Sequence, residues 1–203
     1  MLPASVFVEE NERLQVGGTI WSGESVLDGA IRVEWSFSPL TTLAQFAWSA
    51  DWHITGAAND LTGRVTQAGE QLQLANISGQ TDGVLIDTMF PNLPLSCDFT
   101  ADLAVESLFL GGEGQKGVGN LRTGPVSCAA KGLAALPVEL PALEGSLVPT
   151  PDGTSGALTA AAQNERLVEM RLSPDGRLSI WPTQQATARL PLLRGERFDT
   201  VVE

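Results

Sequence analysis

Residues 31–37 read Ile-Arg-Val-Glu-Trp-Ser-Phe, with every odd position apolar and every even position polar. Strict two-residue alternation means an extended strand whose successive side chains leave on opposite faces, one dry and one wet. Residues 46–54 repeat the pattern, with Phe46, Trp48, Ala50, Trp52 and Ile54 on the apolar side. Residues 95–105 repeat it again, with Leu95, Cys97, Phe99, Ala101, Leu103 and Val105 set against Ser96, Asp98, Thr100 and Asp102. Half-buried antiparallel strands give such alternation, whereas strands of a doubly covered parallel sheet are apolar throughout.

Weaker strand patterns follow at 14–21, 60–67, 70–78, 116–128, 133–138, 143–149, 155–162, 165–172 and 176–182. Turn signals such as Gln67-Ala-Gly69, Pro151-Asp-Gly153 and Pro174-Asp-Gly176 separate them. Because consecutive antiparallel strands usually pair as neighbours, the expected fold is all-β: a meander forming one long curved sheet or two packed layers. Two short stretches read as helix, 41–45 and 84–90, the second stopped by Pro91. The glycine-rich stretch 111–117 reads as a long hairpin loop, and it is the one candidate lobe boundary in an otherwise single domain over 1–203.

Charge narrows the function. The net charge is −12, and residues 1–115 hold 15 acids against three bases (Arg13, Arg32, Arg64), while the rest of the chain is balanced. A phosphate backbone is repelled by such a surface, so nucleic acid is an unsuitable partner. Two cysteines and one histidine are too few for a structural zinc site, and the sequence calls for no metal or cofactor. No apolar run approaches 18 residues.

No residue cluster reads as a catalytic centre. Ser49, Asp51 and His53 alternate along one strand face, which spaces Ser49 from His53 by about 13 Å and puts the acid, not the imidazole, between them. Asp98 and Asp102 have the same spacing, beyond that of a glycosidase pair. With Glu34, Asp51 and Glu106 they are expected to form a solvent-facing acidic surface that steers a basic partner. Lys116 among glycines lacks the Gly-Lys-Ser/Thr of a phosphate loop. Cys97 and Cys128 fall on neighbouring candidate strands and are expected to be bonded, which requires an oxidising compartment. Trp35, Trp48 and Trp52 share apolar strand faces, either as core or as an apolar groove open to lipid or peptide.

Gly17-Gly-Thr-Ile-Trp-Ser-Gly23, preceded by Leu2-Pro-Ala-Ser5 and followed by Trp35-Ser-Phe-Ser-Pro-Leu40, Ala50-Asp-Trp52 and Pro174-Asp-Gly-Arg177, resembles type II secretion system protein N in order and spacing. The chain departs from that pattern in its cysteine pair and in residues 105–135. The resemblance implies a bacterial inner-membrane protein whose anchoring helix precedes Met1, with this β domain in the periplasm. There it would act without catalysis as an accessory of the secretion machinery, through contacts with other secretion components. The family is also similar in architecture to periplasmic lipid-handling β proteins of the AsmA and TamB kind, which implies lipid binding as the alternative.

Overall fold

A computed structural model describes residues 14–56, 58–89, 95–111, 115–132, 137–189 and 197–201. The strands run β1 (Leu14–Gly18), β2 (Ser22–Leu27), β3 (Ile31–Phe37), β4 (Trp48–Gly56), β5 (Asn59–Ala68), β6 (Gln71–Asp82), β7 (Leu95–Asp98) and β8 (Thr100–Leu110). They continue with β9 (Lys116–Thr123), β10 (Val126–Ala130), β11 (Val138–Leu140), β12 (Leu143–Thr150), β13 (Gly153–Ala160), β14 (Glu165–Leu172), β15 (Arg177–Pro182) and β16 (Phe198–Val201). Three short helices interrupt them: α1 (Pro39–Gln45), α2 (Gly83–Met89) and α3 (Gln184–Arg189). The expected all-β fold with few short helices is what forms.

Thirteen strands make one antiparallel sheet in the order β1-β2-β3-β4-β5-β6-β8-β9-β12-β13-β14-β15-β16. Each strand pairs with its chain neighbour unless that neighbour has left the sheet, and β1 and β16 remain opposite edges, so the sheet is open. The pairing of β8 with β9 carries it without interruption across the glycine-rich stretch, of which 112–114 lie outside the described residues. Register shifts at Thr62/Arg64, Val105/Ser107 and Leu158/Thr159 insert bulges, which add local twist to a sheet too wide to stay flat.

The strands that leave form a second, three-stranded sheet, β11-β10-β7. Two expected strands are thereby corrected. Residues 95–105 split at Phe99 into β7 and β8, and 116–128 split at Gly124-Pro125, where proline has no N–H to extend a ladder. The first strand pattern, 14–21, ends as a strand at Gly18, where the chain turns at Thr19 into β2; the Thr19 hydroxyl accepts from the N–H groups of Trp21 and Ser22. Phe46, expected in a strand, instead closes α1 with a left-handed backbone (φ 51°). Within the described residues the strand pattern at 133–138 begins only at Val138.

Insertions β7, β10–β11, α2 and α3 all leave from the same end of the large sheet, the end holding Ile31, Asn59, Thr100, Leu143 and Ala160. The buried core is there. Val126, Cys128 and Leu140 of the small sheet pack on Leu143, Ala160, Leu167 and Ala186, while Leu85 of α2 packs on Ile31 and Leu61. A buried network fixes α2: Asn59 Nδ2 donates to Asp82 Oδ1 at 2.9 Å, and the Asn59 amide oxygen accepts from the Thr81 hydroxyl and the Asp82 N–H. Asp82 Oδ1 also accepts from Leu85 N–H, capping the helix.

Cys97 and Cys128 lie directly opposite each other on β7 and β10 and are disulfide-bonded. The bridge spans 31 residues of sequence and so encloses the whole β8–β9 hairpin. In the chain-entropy view a closed loop of that size contributes about 3–4 kcal/mol. Thiol labelling of denatured, unreduced protein is expected to find no free thiol, and Cys128→Ser is expected to lower the urea unfolding free energy by about that amount. Replacing Asn59 by Ala strands the Asp82 backbone and Thr81 hydroxyl and is expected to cost about 1–3 kcal/mol in the same assay.

Candidate functional site: an apolar sheet face

Directly opposed residues in an antiparallel pair share a face, so the registers assign every strand of the large sheet. Val33, Trp35, Trp52, Ile54, Leu61, Leu103, Leu121, Leu147, Leu158, Met170 and Ile180 all fall on one face. Glu34, Asp51, His53, Asp60, Arg64, Asp102, Arg122, Glu144 and Glu169 fall on the other. The end of the apolar face beneath the insertions is buried. Along the rest, Val33, Trp35, Trp52, Leu74, Leu103, Leu121, Leu147, Leu158, Met170 and Ile180 keep part of their surface open to solvent.

Glycines thin this face. Trp35 lies across Gly23 on β2 and Trp52 across Gly63 on β5, so closely that a Cβ at either glycine would collide with the indole. Trp35 and Trp52 oppose each other, and the Trp35 indole N–H donates to the Thr19 carbonyl at 3.0 Å. Two of the tryptophans read as core or groove thus lie flat across neighbouring backbone, and Trp48, partly buried, lies on the same face four residues before Trp52, at the start of β4. The other two differ. Trp21 stands in the β1–β2 turn, edge-on to Phe37 with ring centroids 4.6 Å apart, and Trp181 is on the polar face, donating to Glu169.

Further along, Gly119, Gly145 and Gly156 repeat the arrangement beneath Val105, Leu158 and Met170. Between them opens a hollow of about 160 Å³ lined by Leu103, Val105, Leu121, Leu147, Leu158 and Met170, with scarcely any polar surface. The hollow is open to solvent on one side, and its volume matches that of apolar cavities that accept a benzene-sized molecule, so it offers a wall for a short run of hydrocarbon. Nothing in it can recognise a polar head. Sequence reading missed it because glycine occupies apolar-face positions on β9, β12 and β13 and erases the alternation there.

The polar face has larger, shallower hollows, one of about 570 Å³ lined by Glu34, Asp51, His53, Thr62 and Arg64. Its polar side chains satisfy one another: Arg64 Nε lies 2.7 Å from Asp51, and His53 Nε2 is hydrogen-bonded to Asp60 at 2.7 Å. Such exposed cross-strand pairs contribute up to about 1 kcal/mol each. Ser49 is fully buried, bonded to Val65 O and Thr66, out of this exposed pairing. Hydrogen bonds from the Arg166 guanidinium and then the Trp181 indole hold the Glu169 carboxyl below the usual carboxylate range.

The five expected surface acids do not form one patch. Glu34 and Asp51 sit on adjacent strands, Glu34 beside Arg32 at 3.9 Å and Asp51 on Arg64. Asp102 accepts from Gln80 on β6, Glu106 is exposed at the β8 bulge, and Asp98 is in the small sheet, since the chain changes sheets between it and Asp102. Among the described residues no cluster of His, Cys, Asp and Glu is arranged to hold a metal ion. No family model, curated protein or solved structure matches this chain.

Gly63→Ala is expected to push the Trp52 indole off β5. The overpacking should cost about 1–3 kcal/mol by urea unfolding and shift tryptophan emission to longer wavelength.

Proposed function

We propose that this domain binds hydrocarbon chains along the apolar face of its large sheet, acting as a periplasmic lipid-handling module. The carrying observation is the wholly apolar hollow over Gly119, Gly145 and Gly156, at the centre of an apolar face left partly open from Trp35 to Ile180. An apolar surface this extensive on a soluble domain marks a contact site. A hollow without donors or acceptors favours an acyl chain over a peptide, whose backbone groups would go unpaired there. The Cys97–Cys128 bridge supports an oxidising compartment.

Membership in the type II secretion machinery as a non-catalytic accessory is retained as the setting of this activity. What favours it is spatial: Gly17-Gly-Thr-Ile-Trp-Ser-Gly23 and Trp35, separate in sequence, form one unit through the Thr19–Trp35 hydrogen bond, the Trp35–Gly23 contact and the Trp21–Phe37 ring pair. Of the two readings drawn from the resemblance, the lipid-handling one has the stronger physical support. The dispersed acids do not make the concentrated charged surface that steering of a protein partner needs.

A fluorescent polyene fatty acid titrated into the domain tests the reading. Wild type is expected to bind it with little dependence on salt. Leu121→Asp and Leu158→Asp place a charge in the hollow and are expected to weaken binding at least tenfold, while Asp102→Asn on the opposite face leaves it unchanged. Equal binding by all four proteins, or none by wild type, contradicts the proposal.

A further inference from the structure

At the end of the large sheet away from the buried core, α1 carries three large apolar side chains that touch almost nothing. Leu40 is 81% exposed, Leu43 69% and Phe46 96%. Leu40 and Leu43, three residues apart, share one side of the helix, and Phe46 follows at its C-cap, so the three make one short apolar stripe in sequence. Trp21, 43% exposed, stands nearby, because its carbonyl accepts from Phe37 N–H just ahead of the helix. Phe46 combines two unfavourable features, for it also takes the left-handed backbone region (φ 51°) that suits glycine and strains an aromatic residue. The backbone conformation serves the helix end, where the Phe46 and Ala47 N–H groups donate to the Thr42 carbonyl, but the aromatic side chain gains nothing there, and its exposure points to a contact outside the fold.

Charge selects the partner. Residues 35–50 contain no Asp, Glu, Lys or Arg, in a chain whose net charge is −12. The overall charge opposes an anionic surface, and the segment offers no ion pair to a charged protein. Side chains standing clear of their own helix are best covered by a medium that conforms to them. A fluid bilayer interface does so, with Trp21 suited to the headgroup level.

We infer that α1 inserts Leu40, Leu43 and Phe46 into a neutral, zwitterionic lipid bilayer, so that the open apolar face meets the membrane at its β3–β4 end. This inference deepens the proposed function by naming where hydrocarbon enters. Phe37 and Trp35 carry the apolar face along β3 to the end where α1 begins, two residues after Phe37.

Flotation with phosphatidylcholine vesicles tests it, with the fatty-acid titration run in parallel. Wild type is expected to float with the vesicles equally at low and high salt. Phe46→Gly relieves the left-handed strain, so it is expected to unfold at the same or higher urea concentration, yet to lose at least fivefold in vesicle binding. Leu43→Ser is expected to lose vesicle binding similarly. Both variants should still bind the free fatty acid, and Leu121→Asp should still float. The inference is overturned if wild type fails to float, if Phe46→Gly floats as well as wild type, if flotation requires anionic lipid, or if wild type pairs with itself through this stripe and Phe46→Gly is monomeric. Loss of fatty-acid binding by wild type, with flotation intact, sinks the proposed hydrocarbon-binding function alone.

Discussion

A sheet of thirteen antiparallel strands satisfies the backbone almost completely through neighbour-to-neighbour ladders, but it creates two faces and must cover the apolar one with what remains of the chain. Among the described residues little remains: α1 at one end, and a three-stranded sheet with α2 and α3 gathered at the other. There the network of Asn59 and Asp82 and the Cys97–Cys128 bridge fasten the cover. Over the rest of the face the sheet stays open. Partial exposure of Trp35, Leu121 and Met170 follows from the topology, since no element among the described residues lies across them.

Glycine lets this arrangement hold together. With no side chain of its own at 23, 63, 119, 145 or 156, the sheet lets a large neighbour lie flat over the backbone. Each such neighbour buries apolar area against its own sheet, which lowers the cost of having no opposing layer. It also keeps the face shallow enough to admit a ligand. Bulges at Asn76, Glu106 and Leu158/Thr159 add twist to the same strands. Most charged side chains of the large sheet lie on the opposite face, where Arg64 and His53 find partners across a strand pair, Arg166 finds Glu169 on its own strand, and all solvate the sheet.

The fold class was legible because alternation survives wherever a strand has one dry face, and β3 matches its pattern residue for residue. Alternation cannot register a change of sheet. Leu95 to Val105 keeps its period through Phe99 although the chain passes there from the small sheet to the large one, and that hidden step separates Asp98 from Asp102. Phe46 continues the period of β4 in sequence yet belongs to a helix end, because backbone conformation is set by the α1 turn and not by side-chain type. The helix α3 and the edge strand β16 gave too short a pattern to read. Of the apolar site, Trp35 and Trp52 were legible from their faces. Leu121, Leu147 and Leu158 were not, since their glycine neighbours are neither apolar nor polar.

The central claim is that the uncovered apolar face, and not the polar one, receives hydrocarbon. Nuclear magnetic resonance of the labelled domain with a spin-labelled acyl chain reads this residue by residue. Broadening is expected at the methyl groups of Leu103, Leu121, Leu147, Leu158 and Met170, with Val118 and Val148, which point to the opposite face, left sharp. Equal broadening on both faces, or broadening confined to Val118 and Val148, would contradict it.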